Sequence, residues 1–175
     1  HRAFCPRSGH GRHAPARLPQ TRSPKPRQVR ERRNGYRGRS FTTQAITSHS
    51  SWSSTSTSGL DVTFVQGPYR LRSPFRDLDD DAFTQACCDD LEQLLDMTSA
   101  GDVACLIAEP IQGVGGFAIP PDGFFGQMHK LLEQRGILFI SDEVQTGWGR
   151  TGEHFWGYQA HGITPDILTF AKGVG

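Results

Sequence analysis

The sequence predicts an α/β domain with a largely parallel sheet. Residues 103–108 form a continuous apolar run of strand length, as in a buried parallel strand; 137–140 reads as a second buried strand and 166–170 as a third. A stretch with helical spacing lies between the first two of them. Each run also passes directly into polar residues, and open parallel sheets offer the carboxyl ends of their strands to ligands.

The elements follow in order along the chain. Residues 1–35 are rich in Arg and Pro, have almost no apolar periodicity and are expected to form no stable structure. Residues 48–58, SHSSWSSTSTS, are polar and of low complexity, which predicts a surface loop. Val62, Phe64 and Val65 predict a short strand that ends at the Gly67-Pro68 turn. Asp79, Asp80 and Asp81 supply an N-cap and an acidic first turn. Phe83, Ala86, Cys87, Leu91, Leu94 and Leu95 follow at helical spacing, with Gly101 expected to end the helix. A second helix is expected over 122–135, with Phe125, Met128, Leu131 and Leu132 inward and Gly136 as its C-cap.

Charge divides the chain into two materials. Residues 1–39 hold 12 of the 19 Lys and Arg and one acid, Glu31, for a net +11; the remainder is net −10. The acidic part has the composition of an ordinary domain. For residues 1–35 three readings stay open: a nucleic-acid-binding arm, an organellar transit peptide, or a stretch unrelated to the domain through a reading-frame error or misjoining. Missing interleaved aromatics weigh against the first, and a missing amphipathic pattern against the second. Cys5, Cys87, Cys88 and Cys105 have no CxxC spacing, so neither a disulfide framework nor a zinc site is indicated. No apolar run reaches the ~18 residues that a membrane helix requires.

The polar residues after the three runs are Glu109-Pro110-Ile111-Gln112-Gly113, Ser141-Asp142-Glu143-Val144-Gln145-Thr146-Gly147 and Ala171-Lys172-Gly173. A Glu, an Asp, a Gln and a Lys would then converge on one sheet edge. Any one of them could merely cap its strand or helix; three such endings in succession weaken that reading. Gly113-Val114-Gly115-Gly116 is not a dinucleotide fingerprint, and His129, His154 and His161 have no metal-ligand spacing. No metal site is expected.

The run ILFISDEVQTGWGRTGEHFWGYQAHGITPDILTFAKG, with 30 residues from Asp142 to Lys172, resembles the signature of class III aminotransferases, which depend on pyridoxal 5'-phosphate. The upstream AEPIQGVGG resembles that family's preceding strand end, and the likeness covers roughly 36–175. It implies part of the large domain of fold-type-I pyridoxal-phosphate enzymes, truncated at both ends. It also implies roles. Lys172 matches the lysine that bonds the cofactor and later moves protons at the substrate carbon. Asp142 matches the acid that keeps the pyridine nitrogen protonated, so that the ring can accept electrons. Gln145 matches the hydrogen-bond partner of the ring 3-oxygen, Val144 the apolar residue under the ring, and Glu109 an acid beside that oxygen and glutamine. Tyr36-Arg37-Gly38-Arg39 resembles the family's aromatic-x-Gly-Arg: Tyr36 would stack on the ring and Arg39 would fork onto a substrate carboxylate. Arg37 departs from the pattern, since the family usually has His or Trp there.

The resemblance implies transfer of an amino group from alanine or an omega-amino acid to glyoxylate, pyruvate or 2-oxoglutarate by a homodimer or higher homo-oligomer. HFWGYQ and Val114 place it nearest the alanine–glyoxylate and omega-amino-acid branch. Two alternatives remain, an aminomutase or decarboxylase of the same class and, more remotely, a basic nucleic-acid-binding protein. A cytoplasmic location is expected, or a mitochondrial one if the basic segment is genuine. Nothing in 1–35 resembles the family's phosphate-cradling loop, and the 175-residue chain is expected to be inactive by itself.

Overall fold

The computed structural model describes residues 2–4, 28–33, 35–48, 61–99 and 101–173. Its strands are β1 (Arg2–Phe4), β2 (Gln28–Arg32), β3 (Val62–Val65), β4 (Val103–Ala108), β5 (Leu138–Asp142) and β6 (Ile167–Phe170). Its helices are α1 (Phe41–Ala45), α2 (Asp80–Thr98) and α3 (Phe124–Arg135). They form one sheet in the order β1-β6-β5-β4-β2-β3. All neighbours are parallel except β1, which runs antiparallel to β6. The expected α/β class with a mostly parallel sheet is what the chain adopts.

Helices α2 and α3 pack together over the sheet. Phe83, Cys87, Leu91 and Leu95 of α2 meet Phe124, Phe125, Met128 and Leu132 of α3, above Leu106 and Phe139 of the strands. The Phe83 and Phe124 rings stack with centroids 6.4 Å apart. Burying side chains of this size stabilises the fold by about 1.5–3 kcal/mol each. Asp79 caps α2 by accepting from the Ala82 N–H at 2.8 Å, as its position predicts. Gly136 closes α3 at φ 66°.

Four expectations are corrected. Helix α2 stops at Thr98 rather than at Gly101, because the Thr98 and Ser99 hydroxyls turn back onto the carbonyls of Leu94 and Leu95 at 2.6 and 2.7 Å. Helix α3 begins at Phe124, after a left-handed Gly123. Strand β5 runs on to Asp142, so the acid is part of the ladder and pairs with Thr169.

The fourth concerns residues 1–35, which were expected to contain no strand. Arg2–Phe4 pairs with β6, and Gln28–Arg32 lies inside the sheet between β3 and β4. Of its residues, Arg30 is fully buried and donates from Nη2 to the Thr98 hydroxyl at 2.9 Å. Burial pushes its guanidinium below the usual range, against the pull of Asp61 and Asp102. A strand reading QVRER has no apolar pattern to reveal it; its ladder partners on both sides supply what its side chains do not. Residues 5–27 and 49–60, including most of the expected Ser-rich loop, lie outside the described residues.

Candidate active site at the carboxyl edge of the sheet

Because β2, β4, β5 and β6 are parallel, the residues that follow them share one edge. Loop 35–48 leaves β2 and closes on itself: the Ser48 hydroxyl accepts from the Gly35 N–H at 2.9 Å, and the Thr47 hydroxyl accepts from the Arg37 N–H at 3.0 Å. The buried Gln112 side chain ties the loop after β4 to this one by donating to the Arg33 carbonyl at 2.7 Å.

A buried cluster of three charges forms the centre. Arg37 Nη1 lies 2.7 Å from Glu109 Oε1 and 2.9 Å from Asp142 Oδ2, and all three side chains are at most 7% exposed. The same nitrogen donates to the Tyr36 carbonyl at 3.0 Å. Glu109 Oε2 accepts from the Gly113 N–H at 2.8 Å, and Asp142 Oδ1 from the Val144 N–H at 3.1 Å. Burial holds the Asp142 carboxyl above its ordinary range; Arg37 opposes this, while Glu109 and Glu143 add to it.

Lys172 follows β6 in a left-handed conformation, φ 66°, and its Nζ donates to Gln145 Oε1. Trp148 steadies this segment by donating from its indole N–H to the Ala171 carbonyl at 3.2 Å. Gln145 in turn fits closely over Gly113: a Cβ there would lie 2.9 Å from Gln145 Cγ. Val144 is half-buried in the turn between Asp142 and Gln145.

The structure therefore joins the predicted residues in two groups, Asp142 with Glu109 and the Tyr36 backbone, and Lys172 with Gln145; Val144 bridges them in sequence. Arg39 is exposed, just ahead of α1, with its carbonyl accepting from Gln44 at 3.3 Å. Two residues outside the predicted set carry much of the architecture. Arg37 stood out in the sequence only as a departure. Glu143 is fully buried and receives the Ser141 and Thr146 hydroxyls at 3.0 and 2.5 Å and the Gly157 and Tyr158 N–H groups at 2.8 Å each. It pins the segment after Trp156 against the turn that carries Val144 and Gln145. An acid beside Asp142 was visible; its four donors come from up to 15 residues away and were not.

Residues 13–175 match the family model described as aminotransferase class-III. The chain belongs to the class III aminotransferase family. The matched region begins upstream of Tyr36, where the recognisable motifs begin. Among curated proteins, the mitochondrial alanine–glyoxylate aminotransferase 2 of Homo sapiens is 50% identical over 88 residues, 49% of this chain and 17% of that protein. The mitochondrial alanine–glyoxylate aminotransferase 2 homolog 2 of Arabidopsis thaliana is 37% identical over 143 residues, 82% of this chain and 28% of that protein. The solved omega transaminase of Pseudomonas jessenii in complex with PMP superposes with a TM-score of 0.73 and 29% identity, over 83% of this chain and 32% of its own. The chain thus spans less than a third of the length of these relatives. No helix among the described residues is long and apolar enough to cross a membrane.

Proposed function

We propose that the full-length protein is a pyridoxal-phosphate-dependent aminotransferase, moving an amino group from alanine or an omega-amino acid to a 2-oxo acid such as glyoxylate or pyruvate. The observation that carries the reading is that a buried carboxylate, Asp142, and a lysine–glutamine pair lie at the same carboxyl edge of the sheet. The donor set suits the cofactor: a buried cluster whose described side chains carry one negative charge in excess fits a protonated ring nitrogen, and the Lys172 amine at the same sheet edge fits an aldehyde.

The cofactor supplies an electron sink for the substrate's bonding pair. Lys172 is proposed to hold it covalently and, once displaced, to carry a proton to and from the substrate carbon. Asp142 would accept from the ring nitrogen and fix its protonation. Gln145 would donate to the ring 3-oxygen, Val144 would pack under the ring, and Tyr36 and Glu109 would border it. Arg39 is proposed for the substrate carboxylate.

The named relatives favour an alanine–glyoxylate branch, and a homodimer and a cytoplasmic or mitochondrial location belong to the same proposal. Borohydride reduction of the loaded full-length protein, followed by peptide mapping, is expected to place the cofactor on Lys172. Labelling of Lys130, at the exposed face of α3, would overturn the assignment.

A further inference from the structure

Arg37 occupies a position that a merely structural ion pair would not need. One nitrogen, Nη1, serves both buried carboxylates, and each carboxylate keeps one further oxygen for a backbone N–H. Among the described residues, these three side chains carry two negative charges and one positive. Among the described residues, Glu143 also bears on Asp142 but is saturated by its own four donors, and Lys172 turns to Gln145. A guanidinium stays protonated at every working pH.

We propose that Arg37 is a positioning residue which neutralises Glu109 and holds Asp142 ionised, leaving the buried cluster one net negative charge for a cationic ring. The proposal rests on the cofactor reading above, but its first test does not use the cofactor. Without Arg37, the two buried carboxylates lose the cation that lies within 3 Å of both. Burial then favours proton uptake, and a protonated Asp142 cannot fix a protonated ring nitrogen. With Arg37 in place, the acid does not depend on a neighbour that titrates near neutrality.

The direction of the pH effect follows. Burial already raises Asp142 in the folded state, and Arg37 is the opposing influence. Removing it raises the folded pKa further above the unfolded value. The stability tied to this group is then present at low pH and lost as pH rises through the folded pKa. In the cofactor-free full-length protein, the melting temperature of Arg37→Met is expected to approach that of the parent near pH 5. By pH 8 the deficit should widen by several degrees. Adding Glu109→Gln should recover part of the deficit at pH 8, because it removes one of the two buried negative charges. Arg37→Lys, which keeps the charge, should restore the parent's pH dependence even at a lower melting temperature.

A second readout uses the loaded protein. In Arg37→Met the acid limb of the kcat/KM profile should move up by about one pH unit or more, the usual effect of losing an opposite charge at this distance. Should Arg37→Met not fold, Arg37→Gln, which keeps a donor without the charge, takes its place with the same expected shifts. A deficit that is the same at pH 5 and pH 8, or an unmoved acid limb, would overturn the proposal and leave Arg37 as a fastening for loop 35–48. Failure of the cofactor reading would show separately, as absence of label on Lys172 in the parent.

Discussion

Replacing Glu143 with Gln is the most searching test of how the site is held. Each carboxylate oxygen accepts one hydroxyl and one backbone N–H: Oε1 takes Ser141 and Tyr158, and Oε2 takes Thr146 and Gly157. An amide must turn its NH2 toward one of those backbone groups. The hydroxyl on that side can rotate and accept; the N–H cannot. At least one hydrogen bond to a charged group is lost, about 1.5–3 kcal/mol, and a buried N–H is left without an acceptor, about 1–3 kcal/mol. Glu143→Gln is therefore expected to cost roughly 3–5 kcal/mol, a fall in melting temperature of roughly 10 °C for a domain of this size. Glu143→Ala removes all four acceptors and should cost more. Urea denaturation of the full-length protein gives the stability change, and hydrogen exchange reports the Gly157 and Tyr158 amides directly. A Glu143→Gln variant within about 1 kcal/mol of the parent, with those amides equally protected, would refute the reasoning.

Three further outcomes are expected. Gly113→Ala should push Gln145 away from Lys172, since the new Cβ would lie 2.9 Å from Gln145 Cγ; aminotransferase rates should fall at least tenfold while the fold survives, as circular dichroism would show. Asp142→Asn and Asp142→Ala should lose several orders of magnitude in turnover while cofactor uptake, followed by absorbance, persists; substantial activity in Asp142→Ala would mean that another acid serves the ring. Burial beside Asp89 and Glu92 pushes the Cys88 thiol up to about 11, so at pH 7.5 Cys88 should resist iodoacetamide in the native protein and react after denaturation; rapid native labelling would contradict its place in the core.

Local pattern made much of the fold legible. Strand β4 announces itself as an unbroken apolar run, β5 and β6 as shorter apolar stretches, and α2 and α3 as periodic stripes with Asp79 and Gly136 at their ends. Strand β2 was hidden because its residues argue against a strand one by one. Only placement between β3 and β4 satisfies its backbone on both sides, and Arg30 enters the interior with it. Helix boundaries moved for a similar reason: at Thr98 and Ser99, side-chain hydroxyls compete for the last carbonyls and stop α2 before the glycine that would otherwise end it.

The sequence by itself determined the family and the residues that meet at the sheet edge, because parallel strands bring their carboxyl ends together wherever the intervening helices go. Asp142 ends its strand, Glu109 follows one directly, and Gln145 and Lys172 lie within three residues of a strand end, so their placement at one edge needed only the order of the elements. The tertiary structure alone decided how charge is balanced among them. Arg37 reaches Asp142 from 105 positions away along the chain, and Glu143 draws its donors from a separate turn. Such partners are chosen by burial, since a buried charge takes whichever opposite charge or N–H the packing brings within reach, and sequence spacing does not record that choice.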